Sequence, residues 1–373
     1  MAMQIQPFKL ERYFAKYEFT TPYLLSCSDC EPLSLKEILT MADENSLKMW
    51  NDLKLGYTES RGHPLLCEEI SKLYNNIQPE NVLVVSPEEG IFISMNNLLV
   101  KGDHVVTTFP GYQSLYEIAI SLGCEVSKWI PGEQSGFTFD INDLKSLIKD
   151  NTKLIVINFP HNPTGAIIQE KDLKEIIDIA RQKDIIIFSD EMYKFLEYDQ
   201  ADQISSACDL FDNAISLFGM SKSFALAGLR IGWLVTKNSD ILKKFTLYKD
   251  YTTICSSALS EIAAIIALKS KDKILKRNID IMSSNLKLLD EFFAVNTKLF
   301  EWYKPKAGPI CFPKLKINID VEHFCLDLIE KKGVMLLPSK VFDYKSNHFR
   351  IGFARTNMPE ALKKLEEYLK ENH

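Results

Sequence analysis

The sequence lacks the features that mark a nucleic-acid-binding or membrane-spanning protein. Its 373 residues carry a formal net charge of -6, which argues against a general surface for nucleic acid or anionic lipid. No apolar run approaches the length that crosses a bilayer, and the first residues show no basic region followed by a long apolar one. We therefore expect a soluble, cytoplasmic protein whose partners are small molecules rather than nucleic acids or membranes.

Several ligand-binding motifs are also missing. The chain contains neither a G-x-G-x-x-G fingerprint nor a P-loop, which argues against a Rossmann dehydrogenase. Its eight cysteines are scattered, and the one close pair, Cys27 and Cys30, has no further ligands at matching spacing. We therefore predict no metal site and interpret this pair as structural.

Apolar runs that end in polar turns are what the chain does have. Patterns typical of helices separate most of these runs, which predicts βαβ units and a largely parallel sheet. In an open α/β sheet the carboxyl ends of the strands share one crevice, so we expect the polar turns to meet there. Between the second and third strands we expect a helix and then a solvated loop. The predicted strands are Val82–Val85, His104–Thr108, Leu154–Phe159, Ile185–Phe188 and Ala214–Phe218.

The stretch after the last of these strands carries an amine and a guanidinium. Lys222 follows the run that ends at Gly219, so it falls on a loop beyond the strand, where a nucleophile is expected. Arg230 comes eight residues later, and a fixed guanidinium suits a doubly charged phosphate. A lone lysine is more often a solvated surface residue, so Lys222 needs support from other strands.

Other strand ends supply groups that suit an aromatic, charged ligand. Asp190 follows a buried strand, so its carboxylate needs a cationic partner unless it caps a helix. Asn162 lies in a turn fixed by two prolines and a glycine, and its amide can donate to a phenolate oxygen. Tyr112 follows a Pro-Gly turn and can stack on an aromatic ring.

The turn after the first strand reads Ser86-Pro87-Glu88-Glu89-Gly90 and leads into a helix. Free backbone N–H groups and the positive end of the helix dipole make such a turn a candidate anion site. Proline supplies no N–H, however, and two carboxylates repel a phosphate unless they point away. The acidic residues are alternatively helix-capping charges or groups that face the substrate.

The segment Gly219 to Trp233 resembles the lysine signature of the class I/II pyridoxal-phosphate-dependent aminotransferases, the fold-type I family. The resemblance implies an α/β architecture with a large domain, whose mostly parallel sheet lies between helices, and a smaller α+β domain. On this basis we expect residues 1–45 to form an N-terminal arm and part of the small domain. Residues 46–270 would form the large cofactor-binding domain, and residues 271–373 the connecting helix and the C-terminal small domain.

The order of the polar residues along the chain also matches that family, which implies a role for each. Lys222 would be the Schiff-base residue, Asp190 would pair with the ring nitrogen and Tyr193 with the 3-oxygen, and all three would be catalytic. Arg350 would bind the substrate α-carboxylate, with Asn162 and Cys30 nearby. The implied cofactor-binding set is Ser86, Glu88, Glu89, Tyr112, Asn162, Asp190, Tyr193, Ser221, Lys222, Arg230 and Tyr57 of the partner subunit.

The resemblance predicts a homodimeric, pyridoxal 5'-phosphate-dependent aminotransferase that acts on an amino acid and a 2-oxo acid. A lyase, cyclase or decarboxylase with the same site is the alternative, and a non-catalytic binding protein is a third reading. Departures at Pro87-Glu88-Glu89, at Gly219, where relatives often carry a serine, and at Cys30, where many have a glycine, keep the alternative open. The substrate side chain stays open too; its polar candidates are Glu31, Glu88, Lys306, Lys340 and Arg355.

Overall fold

The computed structural model describes residues 5–372 and is organised around one large sheet. Only β7 runs antiparallel to its neighbours, and the strands lie in the order β1-β7-β6-β5-β4-β2-β3. The α/β class and the mostly parallel sheet are therefore confirmed. The seven strands are β1 (Val82–Val85), β2 (His104–Thr108), β3 (Glu125–Trp129), β4 (Thr152–Asn158), β5 (Ile186–Asp190), β6 (Ala214–Gly219) and β7 (Gly232–Val235).

Two strands of this sheet, β3 and β7, were not among the five predicted from the sequence. β3 lies at the edge of the sheet, where it pairs only with β2, in the stretch predicted as a solvated loop. Glu125 and Lys128 are exposed, and charged side chains are common on edge strands because they discourage pairing with other chains. The strand is therefore held by its pairing with β2 rather than by an apolar pattern of its own.

Helices cover both faces of the large sheet. Alternate residues of β4 show this, because Leu154 and Val156 pack in one hydrophobic core and Ile155 and Ile157 in another. The described helices are α1 (Lys9–Tyr17), α2 (Leu35–Thr40), α3 (Glu44–Asn51), α4 (Pro64–Ser71), α5 (Pro87–Leu98), α6 (Ser114–Ser121), α7 (Ile141–Leu147), α8 (Glu170–Gln182), α9 (Ala207–Leu210), α10 (Ser239–Lys249), α11 (Ala258–Lys269), α12 (Lys271–Val295), α13 (Val321–Lys332) and α14 (Met358–Asn372). None of them is long and apolar enough to span a membrane.

A further core, which we call the second core because it lies apart from the cores on the two faces of the large sheet, surrounds the C-terminal part of the chain. The 25-residue helix α12 leads into it, and α13 and α14 pack on its short strands. The N-terminal segment joins this core, because Leu25 is buried in it and Tyr23 forms a bridge with Val334. Its strands are β8 (Phe300–Glu301), β9 (Ile310–Cys311), β10 (Lys314–Leu315), β11 (Leu337–Pro338) and β12 (Phe349–Gly352), arranged as β10-β8 and β11-β12-β9.

Candidate active site

A pocket of about 370 Å³ opens where the carboxyl ends of β4, β5 and β6 meet the second core. The last residues of β4 and β5, Asn158 and Asp190, pair with each other and both line it. Helix α1 lies over the same pocket. Its described lining is Leu10, Glu11, Phe14, Glu18, Cys27, Ser28, Asp29, Pro87, Glu88, Ile91, Tyr112, Asn158, Asn162, Asp190, Met192, Tyr193, Leu217, Ser221, Lys222, Ala227, Arg230 and Arg350.

Asp190 is a buried carboxyl that forms no ion pair with any side chain of residues 5–372. Its side chain is 5% exposed and accepts the backbone N–H of Met192 at 3.1 Å. Burial raises the pKa of Asp190 to about 7, because the ionised form is poorly solvated there. The carboxylate is thus best stabilised by a positively charged N–H donor entering the pocket.

Tyr193 and Ser221 present hydroxyl groups that have no hydrogen-bond partner within residues 5–372. Both side chains are buried, and both line the pocket. Buried hydroxyls nearly always have a partner, so these two oxygens indicate a site for a polar ligand.

Lys222 lies on the loop that follows β6, as predicted. The loop is folded back by backbone hydrogen bonds from Met220 to Ile231 (2.9 Å) and from Ala225 to Lys222 (3.1 Å). The Lys222 amine donates to the hydroxyl of Ser28 at 2.8 Å. The primary amine therefore faces the pocket and is held by the N-terminal segment.

Arg350 and Asn162 meet at the base of the pocket. Arg350, on β12, is 1% exposed and donates from Nη1 to Asn162 Oδ1 at 3.1 Å and from Nη2 to the Ser26 carbonyl at 2.8 Å. Its Nε has no partner within the described residues. Asn158 fixes this region, since its side chain accepts the Asn162 N–H at 2.8 Å and donates to the Asp190 carbonyl at 2.9 Å. We call Asn162, Asp190, Tyr193 and Arg350 the buried cluster.

Glu88 and Glu89, which the sequence predicts to lie beside an anion site, point in different directions at the start of α5. Glu89 turns away from the pocket, accepts the Ser86 N–H at 3.1 Å and accepts the Thr253 hydroxyl at 2.7 Å. Glu88 lines the pocket and accepts a hydrogen bond from Ser114. Burial raises the pKa of Glu88. One acidic residue therefore caps the helix while the other faces the ligand space, and neither Ser86 nor Glu89 is among the described lining residues.

Gly219 has no room for a larger side chain. A Cβ there would lie 2.8 Å from Gly232 Cα, 2.9 Å from the Ile231 carbonyl oxygen and 3.4 Å from Pro87 Cγ. Gly232 is equally tight, because its Cβ would lie 2.9 Å from Pro87 Cγ. Pro87 of α5 thus packs against Gly219 of β6 and Gly232 of β7. The departures at positions 87 and 219 are therefore linked, because the two residues pack together.

Arg230 closes this side of the pocket. It is exposed, and its Nη1 donates to the Ala227 carbonyl at 3.0 Å. Its positive charge lowers the pKa of Glu88, although burial and the Ser114 hydrogen bond affect that pKa more strongly. We call Pro87, Glu88, Gly219 and Arg230 the α5 cluster.

Besides Ser86 and Glu89, two more predicted residues, Cys30 and Tyr57, do not line the pocket. Cys30 was predicted to contact the substrate, but its side chain is fully buried in the second core, and its neighbours Cys27, Ser28 and Asp29 line the pocket instead. The Cys30 side chain therefore packs in that core, and its contact with the substrate stays a prediction. Tyr57 is 90% exposed and does not line the pocket of its own chain, so its role in a partner's site stays a prediction.

The five polar residues considered for substrate recognition differ in whether they line the pocket. Only Glu88 lines the pocket. Arg355 acts indirectly, because it donates to both oxygens of Asp29 at 2.9 Å. Glu31 accepts the N–H of Thr356 at 2.8 Å, and Lys340 pairs with Asp320 at 2.8 Å. Lys306 does not line the pocket either.

Sequence reasoning missed residues that the structure brings to the pocket. Asn158 had a usable signal, because it is a polar residue at the end of a strand buried on both faces. Ser28 and the residues of α1 had none, since they reach the pocket across the whole fold; Ser28 lies 194 positions from Lys222. Among residues 5–372, no group of three or more His, Cys, Asp or Glu side chains is placed to hold a metal ion.

Comparison with known proteins assigns this arrangement to a family. The family model described as aminotransferase class I and II matches residues 38–366. The capreomycidine synthase of Streptomyces vinaceus is 29% identical over 283 residues, which cover 75% of this chain and 72% of that protein. The aspartate aminotransferase of Sulfurisphaera tokodaii is 28% identical over 338 residues, which cover 84% of this chain and 82% of that protein.

Solved structures share the fold over its full length. A PLP-dependent aminotransferase from Streptococcus suis superposes with a TM-score of 0.93 at 30% identity, covering 100% of this chain and 99% of that one. The PLP-dependent cyclase OrfR superposes with a TM-score of 0.90 at 24% identity, with the same coverage, and this likeness concerns the fold alone.

Proposed function

Because the chain belongs to the class I and II aminotransferase family, we propose that Lys222 holds pyridoxal 5'-phosphate in the pocket described above. The chain is a PLP-dependent aminotransferase that moves an amino group between an amino acid and a 2-oxo acid. The observation that carries the site assignment is the convergence of an amine, a buried carboxyl, an unpaired phenol and a buried guanidinium on one pocket: Lys222, Asp190, Tyr193 and Arg350.

The polar groups of the pocket fit this cofactor. The Asp190 carboxyl, which prefers a cationic N–H partner, suits a protonated pyridine nitrogen. The unpaired Tyr193 hydroxyl and the Asn162 amide suit the ring's phenolic oxygen, and the unpaired Ser221 hydroxyl suits a phosphate oxygen. Tyr112 provides an aromatic face in the same pocket.

The catalytic roles follow from these positions. When bound, the cofactor supplies an aldehyde that condenses with amines and a ring that withdraws electrons from the substrate α-carbon. The Lys222 amine would hold the cofactor. Once released, its Nζ would take the proton from the substrate α-carbon as a general base and deliver it, as a general acid, to the cofactor carbon that carried the aldehyde. Ser28, which accepts a hydrogen bond from Lys222 Nζ at 2.8 Å, positions this amine.

Arg350 and Asp190 do their work without moving protons. Arg350 binds the substrate α-carboxylate with its guanidinium, which Asn162 and the Ser26 carbonyl already orient. Asp190 stays ionised when a cationic N–H donor lies beside it, because that pairing lowers the pKa that burial alone raises. Removing either group therefore affects substrate binding or turnover through electrostatics.

The cofactor phosphate is bound by the α5 cluster and by a second copy of the chain. Arg230, Ser221 and the backbone N–H groups at the start of α5 supply donors on this chain. We propose that the protein is a homodimer in which Tyr57 of the partner subunit adds another donor. Leu55, Tyr57 and Tyr251 are exposed, which supports a covering partner surface.

The proposal also covers the domain boundaries of the chain and the cellular location of the protein. We propose that residues 1–45 form the arm and part of the small domain, residues 46–270 the large domain, and residues 271–373 the connecting helix and small domain. A cytoplasmic location is supported by the cysteines, since all eight are free.

Cyclisation, elimination or decarboxylation of an amino acid is the second candidate reaction. The similarity to a capreomycidine synthase supports it, as do the departures at Pro87 and Gly219. The reactions share the same electron-withdrawing ring, so the fold does not separate them.

A panel of amino acids incubated with the holoenzyme separates these reactions. We expect the bound cofactor to convert to its amine form, with one equivalent of 2-oxo acid released, and Lys222→Ala to lose at least about 1000-fold in turnover. Release of ammonia or carbon dioxide, or a cyclic product, would support the second candidate. A protein that binds no cofactor, or Lys222→Ala with full turnover, would contradict the proposal.

A further inference from the structure

Helix α1 brings a stripe of acidic side chains to the mouth of the pocket. Glu11, Phe14 and Glu18 follow the spacing i, i+3 and i+7, so they lie on one face of the helix and its C-terminal cap, and all line the pocket. Asp29 lines the same side. This stripe is therefore part of the space left for the substrate.

Two of these carboxylates have no cationic partner. Asp29 is paired with Arg355, which donates to both of its oxygens. Glu11 accepts only the neutral Tyr112 hydroxyl, at 3.2 Å, and takes part in no ion pair within residues 5–372. Glu18 has neither a hydrogen bond to its side chain nor an ion pair in the described part of the chain. Burial, followed by the negative charges of Asp29 and Glu11, raises the pKa of Glu18, and the positive charges of Arg355 and Lys222 oppose this shift more weakly.

The cations that line the pocket already have other uses. Lys222 is committed to the cofactor, Arg350 to the substrate α-carboxylate, and Arg230 lies in the α5 cluster on the phosphate side. A substrate side chain that reaches α1 therefore meets Glu11 and Glu18 and no free cation among the described lining residues. An acidic side chain would be repelled there, whereas a cationic one would gain two charge-assisted hydrogen bonds.

We propose that the amino-acid substrate carries a cationic side chain, an ammonium or a guanidinium, which Glu11 and Glu18 bind. This inference rests on the proposed function, because Arg350 and Lys222 must hold the other end of the substrate. It sets the chain apart from those relatives named aspartate aminotransferases. The two carboxylates select the substrate and leave the chemistry at the α-carbon to Lys222.

The test compares charged amino acids with uncharged ones of similar size. The first half-reaction of the holoenzyme is followed by cofactor absorbance with L-arginine against L-citrulline, with L-lysine against L-norleucine, and with L-aspartate. We expect kcat/KM for the cationic member of each pair to be at least about 100-fold higher, since a site built for a charged donor rejects its uncharged analogue.

Two variants assign the preference to α1. Glu11→Gln and Glu18→Gln should each lower kcat/KM for L-arginine by about 10-fold or more and leave L-citrulline within about twofold. Glu291→Gln, on the exposed face of α12, is the matched control and should change neither value.

The outcomes separate the inference from the proposed function. If L-aspartate or the uncharged analogues react as well as the cationic amino acids, or if both variants lower L-arginine and L-citrulline equally, the inference is overturned while transamination stands. If no amino acid in the panel changes the cofactor spectrum, the proposed function fails and the inference fails with it.

Discussion

The buried cluster lines the pocket together with Pro87, Glu88 and Arg230 of the α5 cluster, but the two clusters are built differently. In the buried cluster Arg350 is 1% exposed and bonded to Asn162, whereas in the α5 cluster Arg230 is exposed and bonded to a nearby carbonyl. The buried cluster consists of residues to which the resemblance to the family gives a role. The α5 cluster contains Pro87, Glu88 and Gly219, at which we expect the sequence to depart from the family pattern.

The difference teaches which part of such a site tolerates change. The buried groups depend on one another, because Asn158 links the ends of β4 and β5 and Arg350 orients Asn162. A phosphate needs several interchangeable donors, so one can be lost when others remain. We therefore expect substitutions in the buried cluster to abolish turnover and those in the α5 cluster to change cofactor affinity.

The largest effect is expected in the buried cluster, from Asp190→Asn. An amide cannot stabilise a protonated ring nitrogen as a carboxylate does, so kcat should fall by about 1000-fold at saturating cofactor, equivalent to about 4 kcal/mol. Steady-state rates measured with excess cofactor check this. Asp178→Asn, on the exposed side of α8, is the control and should keep full activity. An active Asp190→Asn enzyme would break the distinction between the clusters.

Arg230→Ala should weaken cofactor binding by about 10- to 100-fold, since a hydrogen bond to a charged group contributes about 1.5–3 kcal/mol. Because Gly219 supplies no hydroxyl, we propose that this guanidinium contributes a large part of the phosphate binding. The dissociation constant is obtained by titrating the apoenzyme with cofactor. Arg181→Ala, which removes an exposed guanidinium paired with Asp178, serves as the control. Unchanged retention after dialysis would refute the assignment.

Gly219→Ala tests whether packing explains the missing serine. The added Cβ would lie 2.8 Å from Gly232 Cα in β7 and 2.9 Å from the carbonyl oxygen of Ile231, just before β7. We therefore expect a loss of about 1–3 kcal/mol in the free energy of unfolding. Urea denaturation of the apoprotein gives this value. Gly228→Ala is the matched control, because no atom lies within 4 Å of a Cβ there. Equal stability of the two variants would contradict the packing account.

The smallest effect is expected from Glu88→Gln, and its sign is opposite to that of Arg230→Ala. Removing a carboxylate that faces the ligand space should tighten cofactor binding a few-fold, because repulsion of the phosphate is relieved. The pKa of Glu88 is raised, so wild-type Glu88 ionises as pH increases and the advantage of the variant should grow from pH 6 to pH 8. Glu89→Gln should show no such gain, because Glu89 points away. Cofactor titrations at the two pH values decide between these results.

The sequence was sufficient for what depends on local pattern. The runs ending at Asn158, Asp190 and Gly219 are apolar strands buried on both faces. Because the ends of parallel strands share one crevice, the sequence alone predicted that Asp190 and Lys222 lie near each other, and both line the pocket. No comparable rule predicts contacts between segments that are distant in the sequence. The burial of Cys30, the outward turn of Glu89 and the position of α1 over the pocket depend on packing that no local pattern encodes.

The covalent attachment of the cofactor tests the central claim most directly. The holoenzyme is reduced with borohydride, which fixes the link between amine and cofactor, and is digested and analysed by peptide mass spectrometry. We predict that the cofactor mass is found on the peptide that contains Lys222, and that Lys222→Ala yields no modified peptide. Attachment at another lysine, or an unmodified Lys222 in active enzyme, would contradict the account.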